Sequence, residues 1–149
     1  MIKEKEQKVI VGAIIHKEGK FLIVKRAMND KIFPGKWELP SGRIEFGEKP
    51  EDAIRREVKE ETDLDTEDIE YFNIRSYVFE TRVDGKNIIR HNIDIAYLIK
   101  PKDSKVKLSD EHEDFCWIDS SSIKNYDTFK EIADLIKKAE LKLKRSALL

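Results

Sequence analysis

Gly42-Arg43-Ile44-Glu45-Phe46-Gly47-Glu48, continuing through Pro50 to Leu64, is the stretch whose reading decides the fold. It reads as a glycine-bearing loop that feeds a short, acid-rich helix. Pro50 fits the first helical turn, where its missing N–H costs nothing. Ala53, Ile54 and Val58 then recur at helical spacing and form a narrow apolar strip able to dock on a core. Beside that strip stand Glu57, Glu60 and Glu61, at offsets that make side chains neighbours on one helix surface. Each like-charge pair costs roughly 0.2–0.5 kcal/mol unless a cation sits among them. Glu48, in the preceding loop, can add a further carboxylate. Oxygen clusters of this kind suit hard divalent cations, and Mg²⁺ commonly joins one or two carboxylates to substrate phosphates and water. Taken as an acidic helix alone, the segment also reads as a solvated face in a chain that is 40% charged. Glu51/Arg55, Asp52/Arg56 and Arg56/Glu60 would then be ordinary surface ion pairs.

The longer spacing favours the first reading. Gly42, Glu48, Arg56, Glu57, Val58, Glu60, Glu61 and Leu64 resemble the Nudix box, Gly-x5-Glu-x7-Arg-Glu-aliphatic-x-Glu-Glu-x-Gly-aliphatic. One position departs, because Asp63 stands where the family has Gly. That glycine closes the helix in a left-handed conformation, and Asp is among the few other residues that tolerate it. The departure should lower stability slightly and removes no ligand.

Outward from the box, Val9–Ile15 and Lys20–Lys25 are β-branched runs separated by His16-Lys17-Glu18-Gly19, which predicts a hairpin. Their imperfect alternation predicts strands buried on both faces for part of their length. Residues 26–36 read as irregular, with turn signals at Asn29-Asp30 and Pro34-Gly35, and Trp37-Glu38-Leu39-Pro40 leads straight into the Gly42 loop. The helix is expected over 50–62, then a polar linker over 63–70. Tyr71–Val83 and Asn87–Ile99 read as long strands joined by a strong Asp84-Gly85 hairpin signal. Pro101–Lys105 reads as a loop, Asp114–Ile118 as a short strand, and 127–144 as an amphipathic helix carrying Phe129, Ile132, Ala133, Ile136 and Ala139. The Lys-rich last ten residues are expected to fray. The pattern predicts an α/β fold. The resemblance implies an α/β/α sandwich around a mixed, partly barrel-like β-sheet, covering about Val9 to Asp119, with residues 34–64 its specific part.

A chain of 149 residues is expected to form one domain over 1–149 with a substantial core. Lys and Arg total 29 against 30 for Asp and Glu, a formal charge of −1, which leaves no electrostatic footprint for a nucleic-acid polymer or a membrane surface. Cys116, the single cysteine, sits in an apolar run between Phe115 and Trp117 and reads as a small core residue. The opening MIKEKEQK has no long apolar stretch, and no segment approaches the roughly 18 apolar residues of a membrane helix. A cytoplasmic location is the expectation.

The resemblance also implies chemistry. Nudix enzymes cleave a pyrophosphate bond in a nucleoside diphosphate linked to a group X, by attack of water with Mg²⁺ or Mn²⁺ bound. By resemblance, Glu57, Glu60 and Glu61 are the metal ligands, joined by the carbonyl of Gly42. Arg56 and Glu48 would hold loop and helix in register, with Arg56 as a phosphate clamp the lesser alternative. Leu108 to Trp117 resembles the Glu-His…Trp segment of several Nudix subfamilies, which assigns Glu111 as an extra ligand or general base, with Glu113 in reserve; a solvated acidic loop stays open. His112 reads as a structural or orienting group, since no other His or Cys has zinc-type spacing. Arg26, Trp37, Arg43 and Phe46 are candidate substrate-binding residues, with Phe33, Lys25, Arg90 and His91 placed similarly. Each of these also reads as packing or surface charge.

The box specifies the bond and not X. No Pro lies between Pro50 and Pro101, where ADP-ribose-cleaving relatives often carry one. Trp37 to Glu45 looks closer to the MutT-like group, although Ser41 stands where that group commonly has Gly. The leading expectation is a (deoxy)nucleoside triphosphate cleaved to monophosphate and pyrophosphate. Ap4A-type dinucleoside polyphosphates come second and ADP-ribose third. A non-catalytic binding module is the alternative class, and the retained Glu57, Glu60 and Glu61 stand against it. Similar folds often dimerise, but no residue indicates which surface would pair.

Overall fold

A computed structural model describes residues 3–148. The chain opens with strands β1 (Glu4–Lys17) and β2 (Lys20–Arg26), then two short strands, β3 (Trp37–Glu38) and β4 (Ser41–Arg43). Helix α1 (Pro50–Thr62) follows, then the long hairpin of β5 (Thr66–Val83) and β6 (Lys86–Pro101). Strand β7 (His112–Ile118), a 3₁₀ turn (Ser120–Asn125) and helix α2 (Lys130–Ala147) complete it.

The sheet runs β3-β2-β1-β6-β5, with β4 also on β1 and β7 also on β2. Glu18 and Gly19, both at positive φ, make the β1–β2 turn, and Asp84 and Gly85 make the β5–β6 turn in the same way. The first hairpin pairs only at His16↔Phe21 and Lys17↔Lys20 and then splits. β4 fills the gap beside β1 at Ile10–Gly12, while β3 and β7 flank β2. β1 and β6 run parallel from Glu4↔Ile88 to Ile15↔Ile99, so the sheet is mixed and curls open at the split.

Strand alternation sorts the core into two layers. Val11, Ala13 and Ile15 of β1, Leu22 of β2, and Tyr97 and Ile99 of β6 face α1 through Ala53, Ile54 and Val58. Ile14, Phe21, Ile23, Ala96 and Leu98 face α2 through Ile136 and Ala139. A helix on each side of one sheet is the expected α/β/α sandwich. It also explains the uninterrupted apolar runs of β1 and β2, since strands covered on both faces lose the polar-out alternation. Trp37 and Cys116 pack against the α2 layer, as core residues.

Several boundaries differ from the sequence expectations. Glu4–Lys8 and Thr66–Glu70 carry little apolar pattern, yet both are strand, because partners on β6 satisfy their backbone groups whatever the side chains. The expected loop at Gly42 is strand β4. Helix α2 runs to Ala147, past the expected end at residue 144. Among the described residues, no helix is long and apolar enough to cross a membrane.

Candidate active site

α1 begins with Pro50 in its first turn and ends at Asp63, whose φ of 61° is left-handed and whose N–H bonds the Lys59 carbonyl at 2.9 Å. Between these ends the helix lies across β4. A Cβ on Gly42 would overlap the Glu57 carboxylate, so glycine is what lets that side chain rest on the strand. One turn further, Glu61 is 4% exposed and accepts the Ser41 N–H at 3.1 Å.

Arg56 ties this helix to the preceding loop. Its Nε and Nη2 bond the two oxygens of Glu48 at 2.9 Å each, and Nη2 also reaches the Arg43 carbonyl at 3.0 Å. Nη1 lies 2.7 Å from Glu57 and 3.3 Å from Glu60. The guanidinium is therefore committed to the protein, and its bonds, with the Glu45 N–H, hold the Glu48 carboxyl down at about 2. Glu60 remains largely exposed at the rim.

The orphan carbonyls at the end of α1 position the second part of the site. Lys107 N–H bonds the Thr62 carbonyl at 2.9 Å and Ser109 N–H the Glu61 carbonyl at 3.4 Å, which lays the 107–111 loop along the helix end. Ala27 N–H holds the Glu111 carbonyl at 3.1 Å. As a result, one ligand atom from each of Glu61, Glu111 and His112 falls within 4.8 Å of the others. His112 is buried, its Nε2 is 2.9 Å from Glu38, and Arg26 bonds both oxygens of Glu38 at 3.1 and 3.2 Å.

Electrostatically this centre is unbalanced. Burial, followed by the nearby carboxylates of Glu57, Glu111 and Glu38, pushes the Glu61 carboxyl up to about 10. Burial also raises Glu57, although Arg56 opposes it. A divalent cation fits this donor set: it would neutralise a carboxylate crowd that the protein itself leaves without enough positive charge, and Glu61 and Glu111 offer hard oxygens beside the His112 ring.

The sequence candidates separate in three dimensions. Glu61 and Glu111 converge with His112, Glu57 is near enough to raise the Glu61 carboxyl, and Glu60 stands at the exposed rim. Arg26 is occupied, with Nη2 on Asp30 at 2.7 Å and Nε on the Ile32 carbonyl at 2.8 Å besides its bonds to Glu38. It braces the Glu38–His112 pair and offers a phosphate little. Trp37 packs edge-on against Tyr126 at 5.1 Å, while Phe46 is fully exposed. Arg43 reaches Glu6 at 2.8 Å. Glu113 is held by Lys25 at 3.1 Å, away from the cluster. Glu38 was not singled out from the sequence. Its signal was adjacency to Trp37 in a strand: with the indole in the core, the next residue must face the other way.

The family model described as NUDIX domain matches residues 6–139. Nucleoside triphosphatase NudI of Klebsiella pneumoniae (strain 342) is 32% identical over 127 residues, covering 81% of this chain and 88% of the relative. NudI of Salmonella agona (strain SL483) is 32% identical over 124 residues, with the same shares covered. Among solved structures, the MutT protein from Methanosarcina mazei Go1 superposes with a TM-score of 0.66 at 27% identity, covering 95% of this chain and 98% of its own. The NUDIX domain of Shewanella oneidensis NrtR, complexed with ADP ribose, has a TM-score of 0.73 at 21% identity, covering 93% and 89%, and is alike in fold. A box, a fold and a family match that coincide on the same residues place this chain in the Nudix family, as a Nudix hydrolase.

Proposed function

We propose that the protein hydrolyses (deoxy)nucleoside triphosphates to the monophosphate and pyrophosphate, using Mg²⁺ or Mn²⁺ held by Glu57, Glu60, Glu61 and the Gly42 carbonyl. The observation that carries this reading is Glu61, a carboxyl buried among other carboxyls and supported by a backbone N–H from β4. Relatives whose name states nucleoside triphosphatase support the choice of substrate class. The cation, when bound, supplies charge neutralisation for the polyphosphate and acidifies the attacking water. Glu111, on the loop facing Glu61, accepts the proton from that water as its oxygen bonds to phosphorus and the P–O bond to the pyrophosphate leaving group breaks. Arg56 positions Glu57 and anchors the loop through Glu48 without touching substrate. Glu38 orients His112 beside Glu61 and Glu111.

The test is release of phosphate-containing products from dNTPs, oxidised dGTP, Ap4A and ADP-ribose, side by side, with Mg²⁺ or Mn²⁺. A nucleoside triphosphate should be turned over best, and Glu61→Gln should lower kcat/KM by at least about a hundredfold. Full activity in that variant would overturn the ligand assignment. Preference for Ap4A or ADP-ribose would overturn the substrate class alone.

A further inference from the structure

His112 brings a nitrogen donor to the carboxylate cluster. Zinc-type spacing, the test that it fails in the sequence, looks for a second His or Cys nearby in the chain. Its partners in the fold are instead carboxylates, from α1 and from the 107–111 loop. One ring nitrogen of His112 and one oxygen each from Glu61 and Glu111 lie within 4.8 Å of one another. Two donors on one small cation stand at most about 4.2–4.4 Å apart, twice a metal–ligand bond. The three therefore close on an ion with shifts of about half an ångström.

The ring is held as a ligand is held. Its side chain is only 2% exposed, so its orientation is set by the protein and not by solvent. Nε2 lies 2.9 Å from Glu38, and a carboxylate only accepts, so Nε2 carries the proton. In the neutral ring the lone pair is then on Nδ1, which is buried and has no hydrogen-bond partner. A polar atom left bare in such a place costs about 1–3 kcal/mol. Glu38 is itself fixed by Arg26, at 3.1 and 3.2 Å, and Arg26 by Asp30 at 2.7 Å. Metal-binding histidines almost always give their second N–H to a carboxylate, which sets the tautomer and makes the free nitrogen a better ligand. The Arg26–Glu38–His112 chain supplies that arrangement and ends on a nitrogen with nothing else to bind.

We propose that His112 is a nitrogen ligand of the divalent cation that Glu61 holds, and that this nitrogen turns the site from Mg²⁺ towards transition-metal ions, Co²⁺ above Mn²⁺. The inference rests on the metal-dependent reading above and adds a donor and a selectivity. Sets made only of carboxylate, carbonyl and water suit Mg²⁺, whereas imidazole suits the later first-row ions. Mg²⁺ also keeps several of its waters in protein sites, so an imidazole that a water can replace adds little to its binding. Co²⁺ stands above Mn²⁺ in affinity for a given mixed nitrogen and oxygen site.

Electron spin-echo spectroscopy of the unaltered protein loaded with Mn²⁺ reads the bond directly. Nitrogen modulation from a coordinated imidazole should be present, and His112→Gln should remove it. In that variant Co²⁺ affinity, measured by titration calorimetry, should fall by about tenfold or more, and Mg²⁺ affinity by less than about threefold. Equal losses for the two ions would mark His112 as structural and overturn the proposal. Nitrogen modulation that survives in His112→Gln would do the same, as would its absence from the unaltered Mn²⁺ protein, a result that needs no variant to fold. If the protein without such modulation still cleaves triphosphates, the hydrolase reading stands. Modulation in a protein that cleaves no nucleotide would keep the ligand and overturn the hydrolase reading, and a protein that binds no Mn²⁺ would overturn both.

Discussion

At Gly42 a missing side chain matters more than most of those present. The helix carboxylate of Glu57 lies where a Cβ would project, so the box glycine is a packing requirement between α1 and β4. Because the clash falls on the end of a flexible side chain, Gly42→Ala should be absorbed by moving Glu57 and not the backbone. The expected result is a fall of about a hundredfold in kcat/KM, the scale of an ångström-sized misplacement, with stability changed by less than about 1 kcal/mol. Steady-state kinetics beside a denaturation curve check it; a large stability loss with catalysis intact per folded molecule would refute it. The sequence named the glycine as a carbonyl donor. That its α-hydrogens seat a carboxylate required the helix to be docked.

Helix α1 shows what local rules settle for an element. Its limits were legible from Pro50 and from the closing position of the box, and the structure places it over Pro50–Thr62. Asp63 takes the left-handed conformation that its family position demands, at the φ of 61° that glycine adopts freely. Asp63→Gly should therefore raise stability by about 0.5–1 kcal/mol, read as a higher Tm, since relief of backbone strain outweighs the one exposed side-chain contact to Lys59, whose bond to the residue 63 carbonyl is kept. No change, or a decrease, would show that the Lys59 contact matters more than the strain. β4 is the opposite case. Ser41-Gly42-Arg43 has no strand pattern of its own and becomes a strand only because the β1–β2 hairpin opens beside it.

For the molecule as a whole, the active site and the stability of the fold are coupled through Glu61. Its carboxyl is raised from the ordinary 4.5 to about 10, so without a cation it lowers stability increasingly as pH rises from 4.5 toward 10. Glu61→Gln keeps an acceptor for the Ser41 N–H and removes the charge. The metal-free variant should be more stable than the unaltered protein by on the order of 2 kcal/mol at neutral pH, with a gap that widens as pH increases. Conversely, Mn²⁺ at a hundred times its Kd should stabilise the unaltered protein by about 2.7 kcal/mol and the variant far less. Differential scanning calorimetry across pH, with and without Mn²⁺, measures both. Equal Tm shifts in the two proteins would remove Glu61 from the binding site.

The sequence by itself determined the helix, its carboxylates and the hairpin turns, while the sandwich was implied by the resemblance. The first three depend on residue spacing within one segment, where chain geometry leaves few alternatives. The Arg56–Glu48 tie was implied by the resemblance to the Nudix box, and the structure contains it. Only the tertiary structure decided the parallel pairing of β1 with β6, the insertion of β4, and the Arg26–Glu38–His112 brace with the unpaired nitrogen it leaves. Each joins residues distant in the chain whose side chains are ordinary where they stand. Their meaning comes from what burial places opposite them, and burial is a property of the packed sheet.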